Sequence, residues 1–160
     1  MSIYGGLPES ILEGLRDFIK TYTALKQDAP VWVEYLGNNP TEYAVLPLAG
    51  SRVVETYITG KRVMSYPFEL RSMESTADDL ERLETAGFYE AFAEWLDAQT
   101  EQGILPDLPK GKTAEAVEAL GWCYLYQDSV SMTGVYQVQC QLIYAQDAQE
   151  SLFYKKFMKK

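Results

Sequence analysis

Apolar and polar positions along the chain repeat with two periods, one of three to four residues and one of two. Their order predicts helix, strands, helices, strands. The clearest helical stretch lies in residues 87–106, GFYEAFAEWLDAQTEQGILP. Phe88, Ala91, Phe92, Trp95 and Leu96 recur at the spacing of one helical face, and Glu90, Glu94, Asp97 and Glu101 fall outside that stripe. Gly103 supplies a C-terminal stop, and Pro106 prevents a restart. An earlier helix opens near Pro8, which suits a first-turn position. It runs through Ile11, Leu12, Leu15, Phe18, Ile19 and Tyr22, with Gly14 its weak point. Ser75 and Thr76, followed by Asp78 and Asp79, predict an N-cap and an acidic first turn. Gly87 is expected to divide the central helical region into a short helix and the longer aromatic one.

The two-residue period marks the strands. Residues 31–36 read as a short extended piece between loops punctuated by Asp28, Pro30, Gly37, Asn38, Asn39 and Pro40. Residues 42–48 predict a strand edged by Pro47. Residues 52–59 and 62–70 are rich in β-branched and aromatic residues, and Gly60-Lys61 between them has the form of a tight two-residue hairpin turn. Residues 115–127 and 134–146 are expected to be extended and separated by a polar turn. In the second of these, Tyr136, Val138, Cys140, Leu142 and Tyr144 point one way while Gln137, Gln139 and Gln141 point the other. The fold class that follows is α+β, an antiparallel β-sheet flanked by α-helices on one side.

At 160 residues and 47% hydrophobic composition, the chain has the size and balance of one domain, 1–160. Histidine is absent, which removes the usual general base near neutral pH, the usual metal ligand and any Ser-His or Cys-His pair. Cys123 and Cys140 lack metal-ligand spacing and read as small apolar residues. The acids at Asp78, Asp79, Glu81 and Glu84 suit a solvated helix start, and Glu90 with Glu94 reads as surface charge. Lys110-Gly111-Lys112-Thr113 lacks the first glycine of a phosphate loop. The expectation is therefore no catalytic, cofactor or metal site. The net charge of −9 understates the acidity, since four lysines fall in the last six residues; residues 1–154 carry ten basic against twenty-three acidic side chains, or −13. Such a body disfavours direct nucleic-acid binding. The N-terminus lacks the pattern of a signal peptide, and no apolar run reaches membrane-spanning length, so cytoplasmic synthesis and no membrane association are expected. Residues 151–160 read as a basic amphipathic C-terminal segment suited to an acidic neighbouring subunit.

Twelve tyrosines and three tryptophans are mostly core material, yet an amide-bearing strand face beside aromatic anchors suits subunit packing. The expected interface residues are Tyr57 and Tyr66 of the hairpin, Trp95 of the aromatic helix, and Gln137, Gln139 and Gln141. Three segments resemble one family: residues 53–71; Gly87-Phe88-Tyr89-Glu90 with Phe92, Glu94-Trp95-Leu96, Gln99, Gly103 and Leu105-Pro106; and Tyr136 to Tyr144, YQVQCQLIY. The span that holds them, residues 53–144, is a little over half of the chain. They are similar to the minor capsid proteins of siphophages and prophages of Gram-positive bacteria, which look like tail terminators of the head-to-tail connection. The resemblance implies a homo-hexameric ring in the virion that caps the tail tube, meets the tail-tube protein and the head-completion protein, and lets DNA pass without specific binding. It implies no reaction. The alternative reading is a monomeric acidic module holding a peptide or small ligand against a sheet lined by Tyr124, Tyr126, Tyr136 and Tyr144. A carboxylate-dependent enzyme is a third.

Overall fold

A computed structural model describes residues 6–37, 39–129 and 131–148. The basic segment expected over residues 151–160 lies outside the described residues. Among those described, two helices and seven strands follow the order α1 (Ile11–Ile19), β1 (Val31–Val33), β2 (Glu42–Pro47), β3 (Val53–Thr56), β4 (Arg62–Ser75), α2 (Asp79–Gln102), β5 (Lys112–Ala119), β6 (Tyr124–Asp128) and β7 (Thr133–Gln146). The fold is α+β. No helix among the described residues is long and apolar enough to cross a membrane.

Two long antiparallel strands, β4 and β7, form the spine of the sheet, paired in register from Arg62↔Gln146 to Ser75↔Thr133. Each carries two shorter neighbours on its outer edge. β4 pairs with β3 through its first residues and with β2 further along. β7 pairs with β6 through its first half and with β5 through its second. The sheet is mixed where an antiparallel one was expected, because β1 runs parallel to β2. A chain of eight residues, 34–41, returns from the end of β1 to the start of β2, long enough to bring the second strand back alongside in the same direction.

Both helices belong to one side. On β4 the residues Met64, Phe68, Leu70 and Ser72 are buried at even positions, and Ser72 lies 2.6 Å from the Tyr89 hydroxyl of α2. Strand alternation then assigns Tyr136, Val138, Cys140, Leu142 and Tyr144 of β7 to the same face, since Tyr136 is opposite Ser72 and Leu142 opposite Tyr66. The expected division of β7 into an aromatic and aliphatic face and a glutamine face is therefore present. The core between sheet and helices is aromatic. Tyr22 lies 5.7 Å from Phe88, 5.5 Å from Phe92 and 4.9 Å from Trp95, and Phe18 lies 5.0 Å from Trp95.

Several local expectations are corrected. α1 is capped by Ser10, whose side chain accepts the Glu13 amide hydrogen, so Pro8 precedes the helix instead of entering its first turn. Ser10-Ile11-Leu12-Glu13 is a capping-box pattern, although the Glu13 carboxylate turns back to the Glu9 amide. The N-cap of α2 is Asp78, accepting from Glu81, and Ser75 is the last residue of β4. α2 is a single helix of 24 residues, uninterrupted at Gly87. The hairpin turn spans five residues, closed by Tyr57 N–H to Lys61 O and Gly60 N–H to Tyr57 O, with Gly60 at φ 90°. The extended piece expected over 115–127 is two strands broken between Ala119 and Tyr124.

The two helical glycines occupy opposite environments, and this sets a contrast in sign. A Cβ on Gly14 would sit 2.1 Å from the Asp107 carbonyl oxygen, because the loop after α2 presses its backbone against α1. A Cβ on Gly87 would meet nothing within 4 Å. Gly14→Ala is expected to lower stability by roughly 1–3 kcal/mol through overpacking. Gly87→Ala is expected to raise it by about 0.5–1 kcal/mol, by removing backbone freedom from a helix interior. Urea titration of both variants checks the pair, and equal signs would contradict it.

Candidate functional site

Three surfaces carry exposed or chemically distinctive groups: the face of the sheet away from the helices, a carboxylate-lined cleft at the start of α2, and the β3–β4 hairpin.

On the sheet face away from the helices, Gln137, Gln139 and Gln141 stand opposite Arg71, Glu69 and Pro67. They share a face but not an environment. Gln137 is buried and donates through Nε2 to the Tyr124 hydroxyl, whereas Gln139 is exposed. Gln141 is half-buried, donating to Glu118 Oε1 at 2.5 Å and accepting from the Ser65 hydroxyl at 3.3 Å. Beside them Glu69 is only 2% exposed and holds Arg71 at 2.6 Å. The guanidinium of Arg71 lies 4.8 Å from the centre of the Tyr126 ring, a cation–π distance. A cleft of about 300 Å³ opens next to it, bounded by Leu36, Met73, Tyr126 and Asp128.

The four tyrosines named for the ligand-binding module do not line one surface. Tyr124 and Tyr126 belong with Gln137 and Arg71 on the sheet face away from the helices. Tyr136 and Tyr144 lie on the helix side, buried. Trp95 is half-buried and packs at 5.9 Å from Phe92 as well as on Phe18 and Tyr22, so its ring is shared with the core. Tyr66 is also half-buried and packs against the core, whereas Tyr57 is exposed.

The cleft at the start of α2 has a volume of about 340 Å³ and is lined by Lys26, Thr41, Tyr43, Glu74, Glu81 and Glu84 among others. The Glu74 carboxylate accepts from the Thr41 hydroxyl at 2.9 Å, and Ser75 bonds Glu81. Among the described residues no group of three or more acids or cysteines is arranged to hold a metal ion. Burial pushes the Glu74 pKa above 4.5, against the opposing pull of the Ser72 and Thr41 hydroxyls and the Lys26 ammonium. A carboxyl with a raised folded-state pKa binds its proton more tightly when folded. Its contribution is complete below the unfolded pKa and is lost as pH rises through the folded one. Glu74→Gln is expected to raise the melting temperature at pH 7 and to leave it unchanged well below pH 4.5. Melting curves at the two pH values test this, with equal curves at pH 7 as the contrary result.

The hairpin is the most exposed part of the described structure. Residues 51–60 are exposed throughout, and they include Val53, Val54, Tyr57 and a fully exposed Ile58. Among the described residues β3 pairs only with β4, and no described strand lies on its outer edge. The edge of β5 is treated differently: the Thr100 hydroxyl of α2 donates to Val117 O at 2.9 Å and accepts from Val117 N–H at 3.0 Å. That arrangement blocks strand addition there. Sequence reasoning found Tyr57 but passed over Val53, Val54 and Ile58, whose β-branched side chains suit a buried strand equally well. The chain matches no protein-family model and no curated protein sequence.

Proposed function

We propose that the chain is a structural subunit of a phage tail terminator, assembling as a hexameric ring that caps the tail tube and meets the head-completion protein. The observation that carries this reading is the hairpin arm. A subunit with a well-packed aromatic core keeps four apolar side chains of one hairpin in water, and exposed apolar side chains gathered on one arm mark a surface that another protein covers. The motif strings GFYE, EWL and YQVQCQLIY support the family, and the arm supports assembly. A ring crossed by DNA benefits from an acidic body, since phosphates then find few partners along the passage.

The deciding experiment is co-purification with the tail-tube protein of the same phage, with negative-stain imaging of the product. Rings of uniform diameter on tube ends are the expected result. Phage that assemble full-length, joined tails after deletion of the gene would end this account.

A further inference from the structure

Two surface patches of this chain complement each other in shape class and in charge. The hairpin presents Val54, Tyr57 and Ile58 to solvent, flanked by Arg52, Lys61 and Arg62 with Glu55 its one acid. The outward side of α2 presents Leu80 and Leu83, 65% and 69% exposed. They lie three residues apart, hence on one side of the helix. Around and beyond them Asp79, Glu84, Glu90 and Glu94 are exposed, with Arg82 the single basic residue of the helix. An apolar tip with a basic rim and an apolar pair with an acidic rim are suited to bury one another.

One chain cannot bring its own two patches together. The hairpin turn lies at the start of β4 and the leucines follow just beyond its end. A strand of 14 residues separates them by about 40 Å at the usual rise per residue. We propose that the β3–β4 hairpin of one copy docks on the outward face of α2 in a second copy, with Ile58 against Leu80 and Leu83 and the basic flanks against the acids of that helix. This rests on the ring reading and specifies its contact. Because different patches meet, the contact is heterologous, so a docked pair still offers one free hairpin, on one copy, and one free helix face, on the other. Repetition closes a ring or extends a filament.

The test uses full-length chain with Ile58→Asp, Leu83→Asp and an equimolar mixture of the two. Both positions are exposed, so unchanged melting curves should show that each variant folds. Each single variant is expected to self-associate about thirtyfold more weakly, as when a central apolar anchor is lost. The mixture has one intact hairpin and one intact helix face per pair, so light scattering should show heterodimers and no larger species. As a direct readout, Ile58→Cys and Leu83→Cys chains, each also carrying Cys123→Ser, should form an intermolecular disulfide when mixed, with dissolved oxygen as the oxidant, and neither should do so alone.

Four results would overturn the contact: assembly by either aspartate variant at wild-type strength; a mixture that behaves like the single variants; no cross-link between the cysteine chains; or a Lys61→Glu, Arg62→Glu chain that assembles normally but loses retention of duplex DNA. Rings that persist in both aspartate variants would remove this contact while leaving the ring reading intact. A wild-type chain that fails to co-purify with the tail-tube protein would remove the ring reading itself.

Discussion

Arg71→Ala is expected to cost about 3–5 kcal/mol of folding stability, as when one partner of a buried ion pair is removed. Against a total of roughly 5–15 kcal/mol for a domain, that leaves the chain marginal. The cause is the position of Glu69, 2% exposed on the central strand β4 between Leu46 of β2 and Gln139 of β7. Arg71 Nε reaches its carboxylate at 2.6 Å but makes no well-aligned hydrogen bond there, so the contact works chiefly as charge against charge. Removing the guanidinium leaves a desolvated carboxylate without a counter-charge and also strips the cation from the Tyr126 ring. The second variant needed is Glu69→Gln combined with Arg71→Ala. The double variant is expected to be more stable than Arg71→Ala alone, because the stranded charge is gone. Urea unfolding of the four chains of this cycle gives the coupling, and a double variant less stable than Arg71→Ala would refute the ion-pair explanation.

That pair shows where sequence reasoning fails for this fold. In a strand with alternating pattern, an acid at an odd position reads as solvent-facing, and Glu69 would have been placed outside with Gln139. Only the five-across arrangement of the sheet, with neighbours on both sides of β4 and with Arg71 and Tyr126 on the same face, buries it. The β7 alternation was readable because every other residue is a large apolar one and both faces are distinct in chemistry. The aromatic helix was readable for the same reason, though Ala91 is exposed and Tyr89, one position outside the expected stripe, is fully buried. Tyr89 is held inward by polar partners, the Ser72 hydroxyl and the Tyr136 carbonyl oxygen at 3.3 Å, which no apolar periodicity signals. Gly87 misled because glycine carries a helix-breaking cost of only about 1 kcal/mol, and the tertiary contacts of residues on both sides of it outweigh that. The parallel placement of β1 and the break between β5 and β6 depend on which strand each finds as a neighbour, and that information is not local. Of the expected contact residues, the hairpin tyrosine Tyr57 and Gln139 are at the surface, while Trp95 and Gln137 are drawn into packing by neighbours far away in the chain.

Phe92→Ala is expected to cost about 3–5 kcal/mol and to lower the melting temperature by roughly 10 °C for a chain of this size. Phe92 is completely buried, with ring centres at 5.5 Å from Tyr22 and 5.9 Å from Trp95. It therefore ties the segment after α1 to α2 and both to the sheet, and its removal leaves a hole that rigid aromatic neighbours cannot fill. Phe92→Leu, which retains most of the apolar volume, should cost less than the alanine change. The comparison with Leu83→Asp is the informative one. The two positions lie on opposite sides of the same helix, one facing the aromatic cluster and one facing water. Phe92→Ala should move the melting curve and reduce assembly only through loss of folded chain. Leu83→Asp should leave the melting curve in place and weaken assembly directly. Calorimetry and light scattering on both variants separate the two faces of α2, and a Phe92→Ala chain with an unshifted melting curve would show that the aromatic cluster does not hold the helix in place.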